Sequence, residues 1–274
     1  MIHFEKFKLK NNLTVIVHND TSTPLACMNI LYDVGARDED ESKTGFAHLF
    51  EHLMFGGSIH IPNYDSPLQL VGGENNAFTT NDITNYHLTL PANNLETAFW
   101  LESDRMLSLA FTEKSLEVQR GVVIEEFKQR YLNQPYGDVW LNLRPLAYKK
   151  HPYRWPTIGK EISHIENATL ADVKSFFKKF YSPSNAIMVV SGNVTTEQVK
   201  ELSEKWFEPI PAGTKLKREL PPEPPQTEER KQTLYSDVPV DAIYKTYHMC
   251  ARNDDDYRSE EHTSELQSQS TISY

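Results

Sequence analysis

His48, Glu51 and His52 fall on one helical turn within the run His48-Leu49-Phe50-Glu51-His52. Residues four apart on a helix are neighbours, with Cβ atoms about 5–6 Å apart. The two imidazoles can therefore direct nitrogens to one zinc ion at about 2.0–2.1 Å. Glu51, one residue before His52, lies beside such an ion and suits a general base acting on a bound water. The spacing points to metal-assisted hydrolysis. The plain alternative is a pair of packed or surface histidines. Against it, Phe46, Leu49, Phe50, Leu53 and Met54 surround the motif at helical spacings. Burying two histidines and a glutamate among them is costly without a partner, and a metal supplies one.

A catalytic zinc usually keeps three protein ligands and one open position. The best third donor is in the segment Glu117 to Phe127, part of a helix expected from about Glu113 to about Leu132, with Leu116, Val123 and Phe127 on one face. At about 100° per residue, Glu126 falls roughly 60° from Val123 and Glu125 about 160° away. Only one of the two can face the metal. The angles favour Glu126 and leave Glu125 as a solvated helix charge.

The elements that must position these groups can be read in outline. Phe7 to Leu9 and Leu13 to Val17 flank Asn11-Asn12 as a hairpin whose turn tolerates positive φ. Pro24 to Val34 reads as a third strand, followed by the motif helix with Gly56-Gly57 as its stop. Asn76 begins another strand region, then Tyr86 to Leu90 follows. Helices are expected over Leu95 to Ala110, from Thr169 through Phe180 and over Thr195 to Phe207, with a buried strand at Ala186 to Gly192. Hairpins with helices gathered together predict an α+β fold with a largely antiparallel sheet and helices packed on it.

Composition narrows the function classes. The chain has 274 residues, 39% hydrophobic, with 28 Lys and Arg against 38 Asp and Glu and a formal net charge of −10. An acidic chain without a basic stripe is a poor nucleic-acid binder, so no nucleic-acid partner is expected. Cys27 and Cys250 are the only cysteines and form no metal-type spacing. That pattern fits a reducing compartment. No signal peptide and no membrane-spanning stretch are visible, so a cytoplasmic location is expected.

Several segments beyond the zinc motif complete a pattern. They are Gly45-Phe46-Ala47, Gly72-Gly73-Glu74-Asn75-Asn76-Ala77-Phe78-Thr79, Thr84-Asn85-Tyr86, Arg120-Gly121-Val122-Val123-Ile124-Glu125-Glu126, His151-Pro152 with Pro156 and Gly159, and Phe180-Tyr181-Ser182-Pro183-Ser184-Asn185. With His48-x-x-Glu51-His52, the inverted zinc-binding motif, the chain resembles the pitrilysin/insulinase family of zinc peptidases, in its processing-peptidase-like branch. The resemblance implies the N-terminal half of a two-half clamshell metallopeptidase, with Zn2+ as cofactor, His48, His52 and Glu126 as ligands and Glu51 as catalytic base. It further implies substrate binding by strand addition along Asn76, Ala77 and Phe78, in which main-chain hydrogen bonds supply affinity and side-chain pockets add selectivity. Asn75 is read as turn. Relatives often carry a glutamate seven residues before the glutamate ligand. Here that position is Gln119, which can hydrogen-bond without a charge and is expected to support the metal ligands from behind.

The organisation expected is a catalytic half over 1–218, a proline-rich connector over 219–231 containing Leu220-Pro221-Pro222-Glu223-Pro224-Pro225, and the start of a second related half over 232–257, with strands in Gln232 to Cys250. From Arg258 onward the sequence reads as the translation of a sequencing-library adapter, so 258–274 is expected to be a disordered tail, and His262, Glu260 and Glu261 are excluded from metal arguments. The expected activity is endopeptidase hydrolysis of extended peptides, weak or absent without the missing half or a homologous partner subunit. Two rivals stand beside it: a non-catalytic peptide-binding or partner subunit of the same ancestry, and a zinc hydrolase of non-peptide substrates, against which the Asn76 strand argues.

Overall fold

The structure, a computed structural model, describes residues 2–257. The expectation for 258–274 lies outside the described residues. Among the described residues, six strands form one sheet: β1 (Glu5–Lys8), β2 (Thr14–Asn19), β3 (Leu25–Tyr32), β4 (Glu74–Thr79), β5 (Thr84–Pro91) and β6 (Ala186–Gly192), in the order β1-β2-β6-β3-β5-β4. The β1–β2 hairpin turns at Asn12, whose φ of 72° lies in the left-handed region that asparagine tolerates. The β1–β2, β3–β5, β3–β6 and β4–β5 ladders are antiparallel. β2 and β6 pair in parallel, Val15 opposite Met188 and Val17 opposite Val190. The α+β reading holds, with this one parallel ladder added.

Alternation along the strands decides which face is covered. Val15, Val17, Met28, Ile30, Tyr32, Tyr86, Leu88, Met188 and Val190 are buried, whereas the alternating Ile16, Asn29, Leu31, His87 and Val189 are half-buried and Ile187 is exposed. The helices therefore gather on one face, as in α+β folds. They are α1 (Phe46–Leu53), α2 (Asp65–Leu70), α3 (Leu95–Ser108), α4 (Glu113–Phe127), α5 (Val139–Ala147), α6 (Ile162–Glu166), α7 (Leu170–Phe180) and α8 (Thr196–Trp206). Phe50 of α1 anchors an aromatic cluster with Phe176, Phe177 and Tyr181. Three helices begin at threonine caps, where Thr112, Thr169 and Thr195 accept from the backbone N–H three residues on, satisfying donors the helix leaves unpaired.

The sequence reading does not anticipate α2, α5 and α6, which are short. Pro67 sits in α2 and Pro145 inside α5, so proline obscures both patterns. The helix expected to Leu132 is regular only to Phe127 and continues as a widened π-helical turn over Lys128–Leu132.

The strands expected in Gln232 to Cys250 are not formed. From Pro211 to Cys250 the chain carries neither helix nor strand, because the segment lies along the outside and joins no ladder. It is nonetheless held down. Arg218 pairs with Asp33 at 2.6 Å and with Asp38. The Glu223 carboxylate accepts from the backbone N–H groups of Lys149, Lys150 and His151 at 2.7, 2.8 and 2.9 Å. Arg230 donates to the Leu146 carbonyl at 2.8 Å, and His248 stacks on Tyr148 at 4.8 Å. Among the described residues, no helix is long and apolar enough to cross a membrane.

Candidate metal centre

α1 starts where only glycine fits. Gly45, at the N-cap, has φ of 86°, and a Cβ there would meet the Ile158 carbonyl oxygen at 2.6 Å. The free N–H groups of the first turn are taken by a buried carboxylate: Glu39 accepts from Gly45 at 3.0 Å and from Ala47 at 2.8 Å. This fixes the turn that carries His48. Burial pushes the Glu39 carboxyl up to about 8, against the pull of these two backbone donors.

α1 packs against α4, and the buried Val123 and Phe127 place Glu126 at the edge of that contact. The His48 and His52 Nε2 atoms are 3.3 Å apart, and Glu126 Oε2 is 3.6 Å from the first and 3.4 Å from the second. Two zinc bonds of about 2.05 Å meeting at a tetrahedral angle separate their donor atoms by about 3.3 Å. The three donors therefore stand at the mutual spacing zinc requires, and together they could hold it. Two facing imidazole nitrogens and a carboxylate oxygen repel one another unless a proton or a cation sits between them. Glu125 points elsewhere, exposed and paired with Lys128 at 2.6 Å.

Electrostatics favour the protonation states a cation needs. Burial pushes His48 down to about 4, against the pull of Glu126. The hydrogen bond with His52 holds Glu126 below its ordinary value, with the charges of His48 and Arg130 assisting. Arg130, from the π-helical turn, lies 3.0 Å from the other oxygen, Glu126 Oε1. Glu51 is half-buried, and burial raises its pKa against the hydrogen bond of Thr79. That bond, from Thr79 Oγ1 to Glu51 Oε2 at 2.5 Å, escapes the sequence reading. The available signal is that Thr79 follows Ala77 at the two-residue strand period and so shares the α1-facing side of β4.

The remaining expected residues are placed as follows. β4 is an edge strand, with Asn76 and Phe78 exposed and Ala77 half-buried. The Ala77 N–H donates to the Asn76 side-chain oxygen at 2.8 Å. Gln119 is half-buried on α4. Among the described residues it makes no hydrogen bond to His48, His52 or Glu126, and seven residues along a helix is about 10 Å of axial rise. Buried His48 Nδ1 likewise has no hydrogen-bond partner.

Comparison with known proteins agrees with this geometry. Residues 14–160 match the family model of insulinase, peptidase family M16. The chain belongs to the insulinase family. Residues 167–263 match the model of the M16 peptidase inactive domain. Zinc protease PqqE of Helicobacter pylori is 37% identical over 209 residues, covering 75% of this chain and 47% of that protein. The beta subunit of the mitochondrial-processing peptidase of Saccharomyces cerevisiae is 27% identical over 74% of this chain and 44% of its own length. A crystal structure of a protease from Helicobacter pylori superposes with a TM-score of 0.75 at 34% identity, covering 82% of this chain and 55% of that one. Pitrilysin, at 21% identity and a TM-score of 0.70 over 80% of this chain and 24% of its own, shares the fold. The chain spans about half the length of the curated relatives it matches.

Proposed function

We propose that this chain carries the zinc centre of a metalloendopeptidase that hydrolyses extended peptides, with His48, His52 and Glu126 as metal ligands and Glu51 as general base. The observation that carries this reading is the three-donor triangle of 3.3, 3.4 and 3.6 Å beside Glu51. When bound, zinc lowers the pKa of a coordinated water from about 15.7 towards about 7 and polarises the substrate carbonyl. Glu51 takes a proton from the attacking water and returns it to the leaving amine, a task that a carboxyl raised by burial suits. Arg130 restrains the Glu126 carboxylate through its second oxygen. The substrate adds as a strand along β4, where its carbonyl replaces the Asn76 side chain on the Ala77 N–H, and Phe78 contributes side-chain contact.

The division into a catalytic half over 1–218, a connector over 219–231 and the start of a second half over 232–257 is part of this proposal. So is a second half, in the same chain or a homologous partner subunit, that contributes groups to hold the substrate carbonyl. Losing one oxyanion donor costs about 2.7–4 kcal/mol in a well-studied protease, so turnover by this chain alone is expected to be slow.

Zinc content and peptide cleavage, measured before and after Glu51→Gln, test the reading. Both proteins should retain one zinc, and the substitution should lower cleavage by about 10²–10⁴-fold. Zinc bound without cleavage, even in the presence of the second half, would instead favour a non-catalytic partner subunit.

A further inference from the structure

Glu51 is held by a residue from outside its own helix. Among the described residues, the hydrogen bond from Thr79 Oγ1 at 2.5 Å is the one made to its carboxylate. Thr79 is the last residue of β4 and stands opposite Thr84, the first residue of β5. The turn between them is clamped from three sides. Arg37 donates to Asp82 at 2.8 Å, Tyr153 donates to Asp82 at 2.5 Å, and Arg144 donates to the Asn81 side chain at 3.1 Å. Within the turn, Thr80 N–H donates to the Ile83 carbonyl at 2.8 Å. The backbone of Thr79 is thus set by a fixed turn on one side and the β5 ladder on the other. A donor mounted in this way dictates where a flexible glutamate places its carboxylate.

We infer that Thr79 is a positioning residue for Glu51: its hydroxyl pins one carboxylate oxygen to the edge strand and leaves the other free to take a proton. The catalytic consequence rests on the peptidase reading above, whereas the positioning itself does not. The arrangement also ties the base to the substrate-binding edge. Thr79 lies two residues from Ala77 on the same strand, so a peptide paired along β4 would find the base at a fixed height beside its scissile bond. A hydrogen bond to an ionised acceptor contributes more than a neutral one, and its removal corresponds to about 10- to 100-fold in rate if it is made in the transition state.

The test compares Thr79→Val, which keeps the shape and removes the donor, with Thr79→Ser, which restores the donor. Crystal structures of the zinc-free proteins read the positioning directly: in Thr79→Val the Glu51 carboxylate should leave its place beside β4, and in Thr79→Ser it should stay. With zinc and an extended peptide, Thr79→Val should lower kcat by about 10- to 100-fold with KM and zinc stoichiometry unchanged, and Thr79→Ser should recover most of the loss. Should Thr79→Val fold poorly, Thr79→Ala serves the same comparison. An unmoved carboxylate in the variant lacking the hydroxyl overturns the inference. A loss shared equally by kcat, KM and zinc content, and not recovered by serine, also overturns it. If the unaltered chain with its second half cleaves no peptide, the peptidase reading fails while the carboxylate position still decides the role of Thr79.

Discussion

Two charge clusters lie under the helices, and they resolve the same physical problem in opposite ways. On α3, Arg105 Nη2 donates to both oxygens of Glu102 at 2.5 and 2.6 Å, with both residues buried. The Tyr64 hydroxyl also donates to Glu102. The guanidinium lies 4.5 Å from each of the Tyr64 and Tyr86 ring centroids, where the ring faces favour a cation. On α1 and α4, the half-buried carboxylate of Glu126 meets two imidazoles instead, one of them driven towards its neutral form by burial. A buried carboxylate needs a compensating partner. The core encloses its cation with both carboxylate oxygens, whereas at the site the largely exposed Arg130 reaches only Glu126 Oε1 and Oε2 is left facing the two imidazoles. Burial of charge alone therefore does not mark a functional centre. What separates the two clusters is whether opposite charges already cancel inside the protein.

Breaking the self-contained cluster should give the largest effect. Arg105→Leu leaves Glu102 buried without its cation, a class of change that costs about 3–5 kcal/mol. Urea unfolding of the zinc-free protein should show that loss, and zinc affinity of the folded fraction should not change. Replacing both partners, as in Glu102→Leu with Arg105→Met, should recover much of the stability, because apolar substitutes for a whole buried pair are often neutral or better. If the single and double variants are equally unstable, the pair is not the self-cancelling unit described here.

The open cluster should respond in the other observable. Glu126→Gln should change zinc-free stability by less than about 1 kcal/mol, the scale of a solvent-screened pair. Structural zinc sites gain about 10–16 kcal/mol from four ligands, or roughly 2.5–4 per ligand, so zinc affinity should fall by about 60- to 700-fold. Competition titration against a chelator measures it. Glu125→Gln, one position away, should leave that titration unchanged. Equal effects at the two positions would remove the basis for assigning the ligand to Glu126.

The legibility of these clusters in the sequence follows from their range. His48, Glu51, His52 and the choice of Glu126 over Glu125 all follow from a single helical period applied within a segment. The strand that carries Thr79 is readable as a strand, but its contact with Glu51 depends on how β4 stacks on α1, which no local period encodes. The parallel β2–β6 ladder joins segments far apart in the chain, so hairpin logic cannot find it. Glu102 and Arg105 carry charges that composition alone would place in solvent, yet both are buried, paired through Arg105 Nη2. The stretch 232–250 has strand-like composition yet forms no strand, since a strand is defined by its ladder and this stretch joins none among the described residues.

Glu223 offers a third way to satisfy a carboxylate and should give the smallest effect. It is half-buried, and its partners are three consecutive backbone N–H groups. Partial burial opposes its charge, but these donors and nearby Arg230 outweigh it and hold the carboxyl at about 2, below its ordinary 4.5. A group depressed in this way contributes its stability in full above the unfolded value. The contribution fades as pH falls from 4.5 towards about 2. Acidification through that window should therefore loosen the attachment of the Glu223 segment at Lys149 to His151, read as faster amide exchange there and easier proteolysis between Leu220 and Pro225. Glu223→Gln should show the loosened pattern already at neutral pH, because a neutral amide accepts more weakly from backbone donors. If exchange at Lys149 to His151 follows global unfolding at every pH, the Glu223 segment does not open locally. Glu223 would then belong with Glu102 as part of one cooperative structure, rather than forming a separate surface clasp.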